Sequence, residues 1–178
     1  MKSIFTILCI VFILTNGCKK EDTIQPGDNL ITNGSFEDNG NFSLDGWTNN
    51  STESNTDVPG GGGSFSLKIS PAISPAEGYA DFEITDLTGT KNFELTAFIK
   101  SFGDWPGSVT LKKIADDGTI TILATAASSE NNWIQKTLDI STSFISGDKL
   151  VVHISSGSTE AVTTNHYALF DLVVLKEQ

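Results

Sequence analysis

Residues 29–50 read NLITNGSFEDNGNFSLDGWTNN, and this stretch decides the fold class. It carries no helical period. Its apolar residues, Leu30, Ile31, Phe36, Phe42, Leu44 and Trp47, stand singly or in pairs, interrupted by Asn-Gly and Asp-Gly steps. Such steps turn a chain sharply, because Gly takes positive φ without a steric cost. Asn33-Gly34 therefore reads as a turn or bulge that aims Phe36 inward and Glu37 outward. Trp47, directly after Asp45-Gly46, starts a strand and reads as a core plug.

The same grammar runs on to the end of the chain. SFSLKIS (64–70) puts Phe65, Leu67 and Ile69 on one face, and KNFELTAFIK (91–100) puts Phe93, Leu95, Ala97 and Ile99 opposite Glu94, Thr96 and Lys100. Half-buried antiparallel strands alternate in this way. Further strands are expected at 30–37, 79–87, 108–114, 119–125, 133–140, 149–155 and 166–175, with Asp116-Asp117-Gly118 as a hairpin turn. About eight to ten short strands make an all-β sandwich or barrel. No fixed period is visible, which disfavours propellers and solenoids.

The first residues, MKSIFTILCIVFILTNGCKKED, have a Lys at position 2, an apolar run from Ile4 to Leu14 and small or polar residues up to Cys18. A membrane-crossing helix needs about 20 apolar residues, so the run reads as a signal peptide over residues 1–17. LTNGC resembles the relaxed lipobox of Bacteroidetes lipoproteins, with Thr15 where Leu is usual, and KKED resembles their surface-export run. That resemblance implies that Cys18 carries the lipid and that the protein sits on the outer membrane at the cell surface. The alternative is an ordinary secretory cleavage that leaves Cys18 free. Residues 18–28 are a polar linker with a reach of about 30 Å, and residues 29–178 are the domain. Within the linker, Asp22-Thr23-Ile24 resembles a short O-glycosylation motif.

Cleavage removes Cys9, so no intramolecular disulfide remains and the domain is held by its core. A chain of this size buries close to ~70% of its unfolded surface. Net charge is −11, and −12 from Cys18 onward, where ten Lys and no Arg face 22 Asp and Glu. Phosphate backbones are bound by clustered Lys and Arg, so nucleic acid is excluded as a partner and phosphorylated ligands are disfavoured. Neutral ligands remain, with membrane contact through the lipid anchor alone.

NLITNGSFE, GW at 46–47, SFSLKI, NNWIQKTLDI (131–140) and ALFDLVVLKE (168–177) resemble, in order, the landmarks of carbohydrate-binding modules of the family 4, 9 and 22 type. The resemblance spans residues 29–176 and implies a β-sandwich jelly roll of the galactose-binding-like fold. It departs at Asp171-Leu172, where two acids are usual. It further implies a structural Ca²⁺ held by Glu37 and Asp171, a buried Trp133, a glycan ligand and polysaccharide-utilisation or other surface proteins as partners. Two carboxylates with backbone carbonyls suit the oxygen preference of Ca²⁺, while two solvated acids at strand ends are the other reading.

Sugar binding needs a flat aromatic face ringed by hydrogen-bonding groups. Trp105, beside Asp104 in SFGDWPGS, is one candidate, either as a sugar platform or as a cover for the sandwich end. Tyr79 and Asp81 form another, alternating with Ala80 and Phe82, either lining a concave sheet or lying on a solvated face. His153 and the pair His166-Tyr167 read as surface residues, and PGGGG (59–63), without a following Gly-Lys-Ser or Gly-Lys-Thr, as a connector. No catalytic motif is present, so a non-catalytic binder is expected, with a protein-binding adhesion module and a glycoside hydrolase as rivals.

Overall fold

The computed structural model describes residues 28–71, 77–103, 105–157 and 166–178. The signal peptide, Cys18, the rest of the linker up to residue 27, and Asp104 lie outside these. Twelve strands run through the described residues: β1 (Glu37–Asp38), β2 (Asn41–Phe42), β3 (Trp47–Asn50), β4 (Thr52–Asn55), β5 (Ser66–Ile69), β6 (Gly78–Ile84), β7 (Gly89–Phe102), β8 (Gly107–Ile114), β9 (Ile120–Ser128), β10 (Ile134–Phe144), β11 (Lys149–Ser156) and β12 (Tyr167–Glu177). They form two five-stranded antiparallel sheets, in the orders β10-β7-β12-β5-β4 and β3-β6-β11-β8-β9, and a small β1-β2 ribbon. The expected all-β sandwich is the observed fold.

Alternation builds the core. Phe93, Leu95, Ala97 and Ile99 of β7 join Leu67 and Ile69 of β5 on one inner face, against Leu150, Val152 and Ile154 of β11 and Leu111 of β8 on the other. The Asp116-Asp117-Gly118 turn closes as expected, with Gly118 at φ 83° and the Gly118 amide donating to the Ala115 carbonyl at 2.8 Å. The polar edge strand β4 (TESN) was not expected, because nothing in it alternates.

Residues 30–36 do not form the expected strand. Asn29 bridges Lys176 of β12, the Leu30 amide donates to the Leu175 carbonyl at 2.8 Å, and the chain then turns. The Asn33 side chain organises that turn, accepting from the Glu37 amide at 2.9 Å and donating to the Ser43 carbonyl at 3.0 Å. Phe36 is driven inward and Glu37 outward, as expected, but the positive φ of 56° belongs to Phe36 itself. Gly34 is required for another reason: an added methyl would overlap the Val173 carbonyl. Trp47 plugs the core between Phe36 and Phe82, with ring centroids 5.3 and 5.4 Å away, and its Nε1 donates to the Asn33 carbonyl at 2.9 Å.

The sandwich has two distinct ends. The β6–β7, β8–β9 and β10–β11 turns share one end with Asn29 and the last residues of β12. Trp105, between β7 and β8, and Ser129, after β9, lie at the other. Gly34→Ala is expected to cost about 3 kcal/mol, since backbone must move to admit the methyl. Gly60→Ala, with open space around it and no positive φ, is expected to stay within ~0.5 kcal/mol. Denaturant unfolding of the two variants checks the contrast.

Candidate functional site

The two outer sheet faces differ. Over the β10-β7-β12-β5-β4 sheet, the β4–β5 connection acts as a strap, with Asp57 accepting from Lys100 Nζ at 2.6 Å and from Trp133 Nε1 at 2.9 Å. Leu169, which alternates out of the core on β12, is buried, as is Pro59 of the strap. Trp133 is therefore a half-exposed clamp on the outside of the sandwich and does not fill the core as the resemblance implies. Its indole N–H finds the Asp57 carboxylate, a partner the core does not offer.

The outer face of the β3-β6-β11-β8-β9 sheet is polar and recessed. Strand register lines up Thr48, Asp81, His153, Thr110 and Thr125 in one row and Asn50, Tyr79, Ser155, Ser108 and Ala127 in the next. Along the central strand β11, Val151, His153 and Ser155 point outward yet are only 3%, 7% and 1% exposed. His153 Nδ1 lies 2.5 Å from Asp81 Oδ1, its Nε2 lies 3.4 Å from Glu77 Oε2, and its ring stacks on Tyr79 with centroids 5.8 Å apart. Ser108 and Ser155 share a hydrogen bond at 2.9 Å, and Thr110 and Thr125 one at 3.0 Å.

Burial pushes the His153 imidazole down, but the hydrogen bonds it donates to Asp81 and Glu77 outweigh that, so the pKa is raised above the usual 6.5. The same contact with His153 holds the Glu77 carboxyl below its usual range. A protonated His153 donates from both ring nitrogens, one to each carboxylate. The remaining carboxylate lone pairs are strong, oriented acceptors for neutral hydroxyl groups. Tyr79 stands beside them with an apolar ring and a polar tip.

The structure thus brings Tyr79 and Asp81 onto one face, as the alternation indicated. His153 is buried among them, where the sequence suggested a surface residue. Trp105 lies elsewhere, half-buried at the sandwich end, its ring 4.9 Å from that of His166. Among the described residues no ring contact joins Trp105 to Tyr79. Three positions earlier in the chain, Phe102 stacks on Tyr167 at 4.4 Å, with Lys68 over the Tyr167 ring at 4.7 Å.

Glu37 and Asp171 meet beneath the glycine run of the strap. Glu37 Oε1 accepts the Ser64 amide and the Phe65 amide, the latter at 2.6 Å. A methyl on Gly62 would lie 2.5 Å from Asp171 Oδ2, and one on Gly63 would overlap the Glu37 carboxylate. Only glycine lets the backbone wrap the pair this closely. Asp171 is fully buried, and its Oδ2 has no hydrogen-bond partner. Burial, with the charge of Glu37 adding to it against a hydrogen bond from the Leu172 amide, pushes its carboxyl up to about 7. An orphaned buried oxygen, a second carboxylate and a glycine cradle fit a hard cation that takes oxygen ligands.

No protein-family model and no curated protein matches the chain. Solved structures do. The CBM22-1 xylan-binding domain of Paenibacillus barcinonensis Xyn10C superposes with a TM-score of 0.59 at 16% identity, covering 86% of this chain and 96% of that one. A family 16 carbohydrate-binding module gives 0.57 at 18% identity, covering 83% and 99%. TmCBM61, solved with β-1,4-galactotriose, gives 0.52 at 15% identity, covering 85% and 99%. At these identities the shared feature is the fold, a two-sheet antiparallel β-sandwich.

The raised His153 pKa has a signed consequence. The stabilisation from its two carboxylate contacts is complete below pH 6.5, the unfolded value, and is lost as pH rises through the raised folded value. Urea midpoints measured across this range should show that loss in the parent chain and a smaller one in Asp81→Asn.

Proposed function

We propose that the domain is a non-catalytic carbohydrate-binding module that takes a neutral oligo- or polysaccharide on the outer face of the β3-β6-β11-β8-β9 sheet. One observation carries this: the two adjoining recessed rows in which Tyr79 stacks on an imidazole clamped between Asp81 and Glu77. Tyr79 offers the ring for the apolar face of a pyranose, and the carboxylates, Thr110 and Ser108 offer partners for its hydroxyls. The xylan and galactotriose named for the structural neighbours support the ligand class. A hydrolase needs a carboxyl held protonated beside the scissile bond. Glu77 is held ionised by His153, and Asp171, the carboxyl pushed upward, is enclosed by the strap.

The test is retention in affinity gels containing xylan, galactan and other neutral glycans. Tyr79→Ala is expected to weaken retention about tenfold, the equivalent of ~1.4 kcal/mol. Loss in Trp105→Ala with Tyr79→Ala unchanged would instead move the site to the Trp105-Asp104 segment at the sandwich end. Retention on no glycan at all would favour the protein-binding adhesion module.

In this reading Glu37 and Asp171 hold a structural Ca²⁺, which supplies positive charge to two carboxylates and pins the strap to β12. The unfolding temperature should then rise with calcium concentration by mass action and fall with a chelator. Asp171→Asn should abolish that dependence, and without calcium it should be neutral or stabilising, because it removes a buried negative charge facing Glu37. Equal unfolding temperatures in calcium and in chelator would sink the assignment. The reading also includes acylation of Cys18 after loss of residues 1–17, anchoring the domain to the outer membrane through linker 18–28.

A further inference from the structure

The large apolar side chains that stand most exposed among the described residues are Ile120 at 62%, Ile122 at 65% and Ile145 at 68%. All three belong to the same end of the sandwich. Ile120 and Ile122 share a face of β9, Ile120 opposite Ile114 of β8 and Ile122 opposite Lys112. Ile145 opens the β10–β11 turn, where its amide is held by Asp148 at 2.9 Å. The two turns adjoin, since a methyl on Gly147 would run into the Asp116 side chain.

This is also the end at which the chain enters the domain. Asn29 bridges Lys176 beside the last residues of β12. Asp28, at that entry, is ten positions beyond Cys18, a span of at most about 36 Å when extended. A lipid on Cys18 therefore keeps this end, and its isoleucines, within a linker's length of a bilayer. Singly exposed isoleucines need no explanation, but three gathered on adjoining segments at the tethered end do.

We infer that this end is a lipid-facing surface: Ile120, Ile122 and Ile145 enter the headgroup boundary of the membrane to which Cys18 anchors the chain. The inference rests on the lipid-anchor reading. It adds a second contact to the anchor, and with it an orientation, which a flexible linker alone does not supply. The charge of this end selects the lipid. Lys91, Lys113 and Lys149 are paired with Glu177, Asp148 and Glu83. Among the described residues Lys112 and Lys176 form no ion pair, nor do Asp86, Glu94, Asp116 and Asp117, so the unpaired acids outnumber the unpaired cations and anionic headgroups are disfavoured against zwitterionic ones.

The test uses the full acylated chain, extracted in detergent and reconstituted into phosphatidylcholine vesicles. Nitroxide labels are placed at Ile122→Cys and Ile145→Cys, with Ser129→Cys at the opposite end as control. On reconstitution the ratio of oxygen to nickel-chelate collisions should rise several-fold at positions 122 and 145 and stay constant at 129, and phosphatidylglycerol in the vesicles should reduce the rise. A chain that floats with the vesicles while all three ratios stay constant overturns the inference and leaves the anchor standing. Labels at 122 and 145 already immobilised in detergent assign the patch to a second copy instead. A chain that does not float overturns the anchor reading and this inference together.

Discussion

Backbone contact between Gly34 and Val173 ties the turn at residues 32–35 to the last strand of the domain, and the rest of the structure hangs on it. The Val173 amide donates to the Gly34 carbonyl at 2.8 Å, at a distance that leaves no room for a Cβ. The contact falls where β12 bulges between Asp171 and Val174, with Leu172 at φ 48°. Because of the bulge, Phe170 and Val173 both face the core while Asp171 stays outside it. On the other side of the contact, Phe36 enters the core and Glu37 reaches the strap. Trp47 then carries the packing from Phe36 to Phe82 on the opposite sheet.

That arrangement concentrates unusual electrostatics at two places and treats them differently. Beneath the strap, Glu37 and Asp171 are like charges enclosed by Gly62 and Gly63, an arrangement that is costly unless something positive compensates it. On the opposite outer face, Asp81 and Glu77 are both held by His153, which stands between them and, when protonated, offsets one of the two charges. The second cluster is satisfied as it stands and open to solvent through Asp81, Glu77 and Tyr79, which are only partly buried. A recessed polar cluster whose two carboxylates share one imidazole suits a hydroxyl-rich neutral ligand, which brings no charge of its own to be desolvated and donates to the carboxylate oxygens.

The strap decides which face is available. Asp57 is held ionised chiefly by its hydrogen bond from Lys100, with Trp133 contributing. This clamp covers the centre of one sheet, and among the described residues no comparable strap lies over the other. The two ends of the sandwich are likewise unequal: exposed isoleucines gather where the chain enters, and aromatic pairs Trp105–His166 and Phe102–Tyr167 gather at the far end.

Fold class was legible in the sequence because strand burial has a period of two, and SFSLKIS and KNFELTAFIK show it without help from distant residues. The inward aim of Phe36, the core position of Trp47 and the Asp116-Asp117-Gly118 turn were legible for the same reason, being local. Of the strand expected at 30–37 only Glu37 is extended, because the geometry of residues 30–36 is set by Asn33 reaching Ser43 and by Val173, some 140 positions away along the chain. The outward pairing of Tyr79 with Asp81 followed from alternation, but the burial of His153 did not, since it depends on the β6-β11-β8 register that puts two carboxylates beside it. Alternation along a strand thus settled which face each residue takes. Only tertiary structure decided which strands become neighbours, which face the strap covers and hence which polar side chains act together, because those depend on contacts between segments whose separation along the chain leaves no local mark.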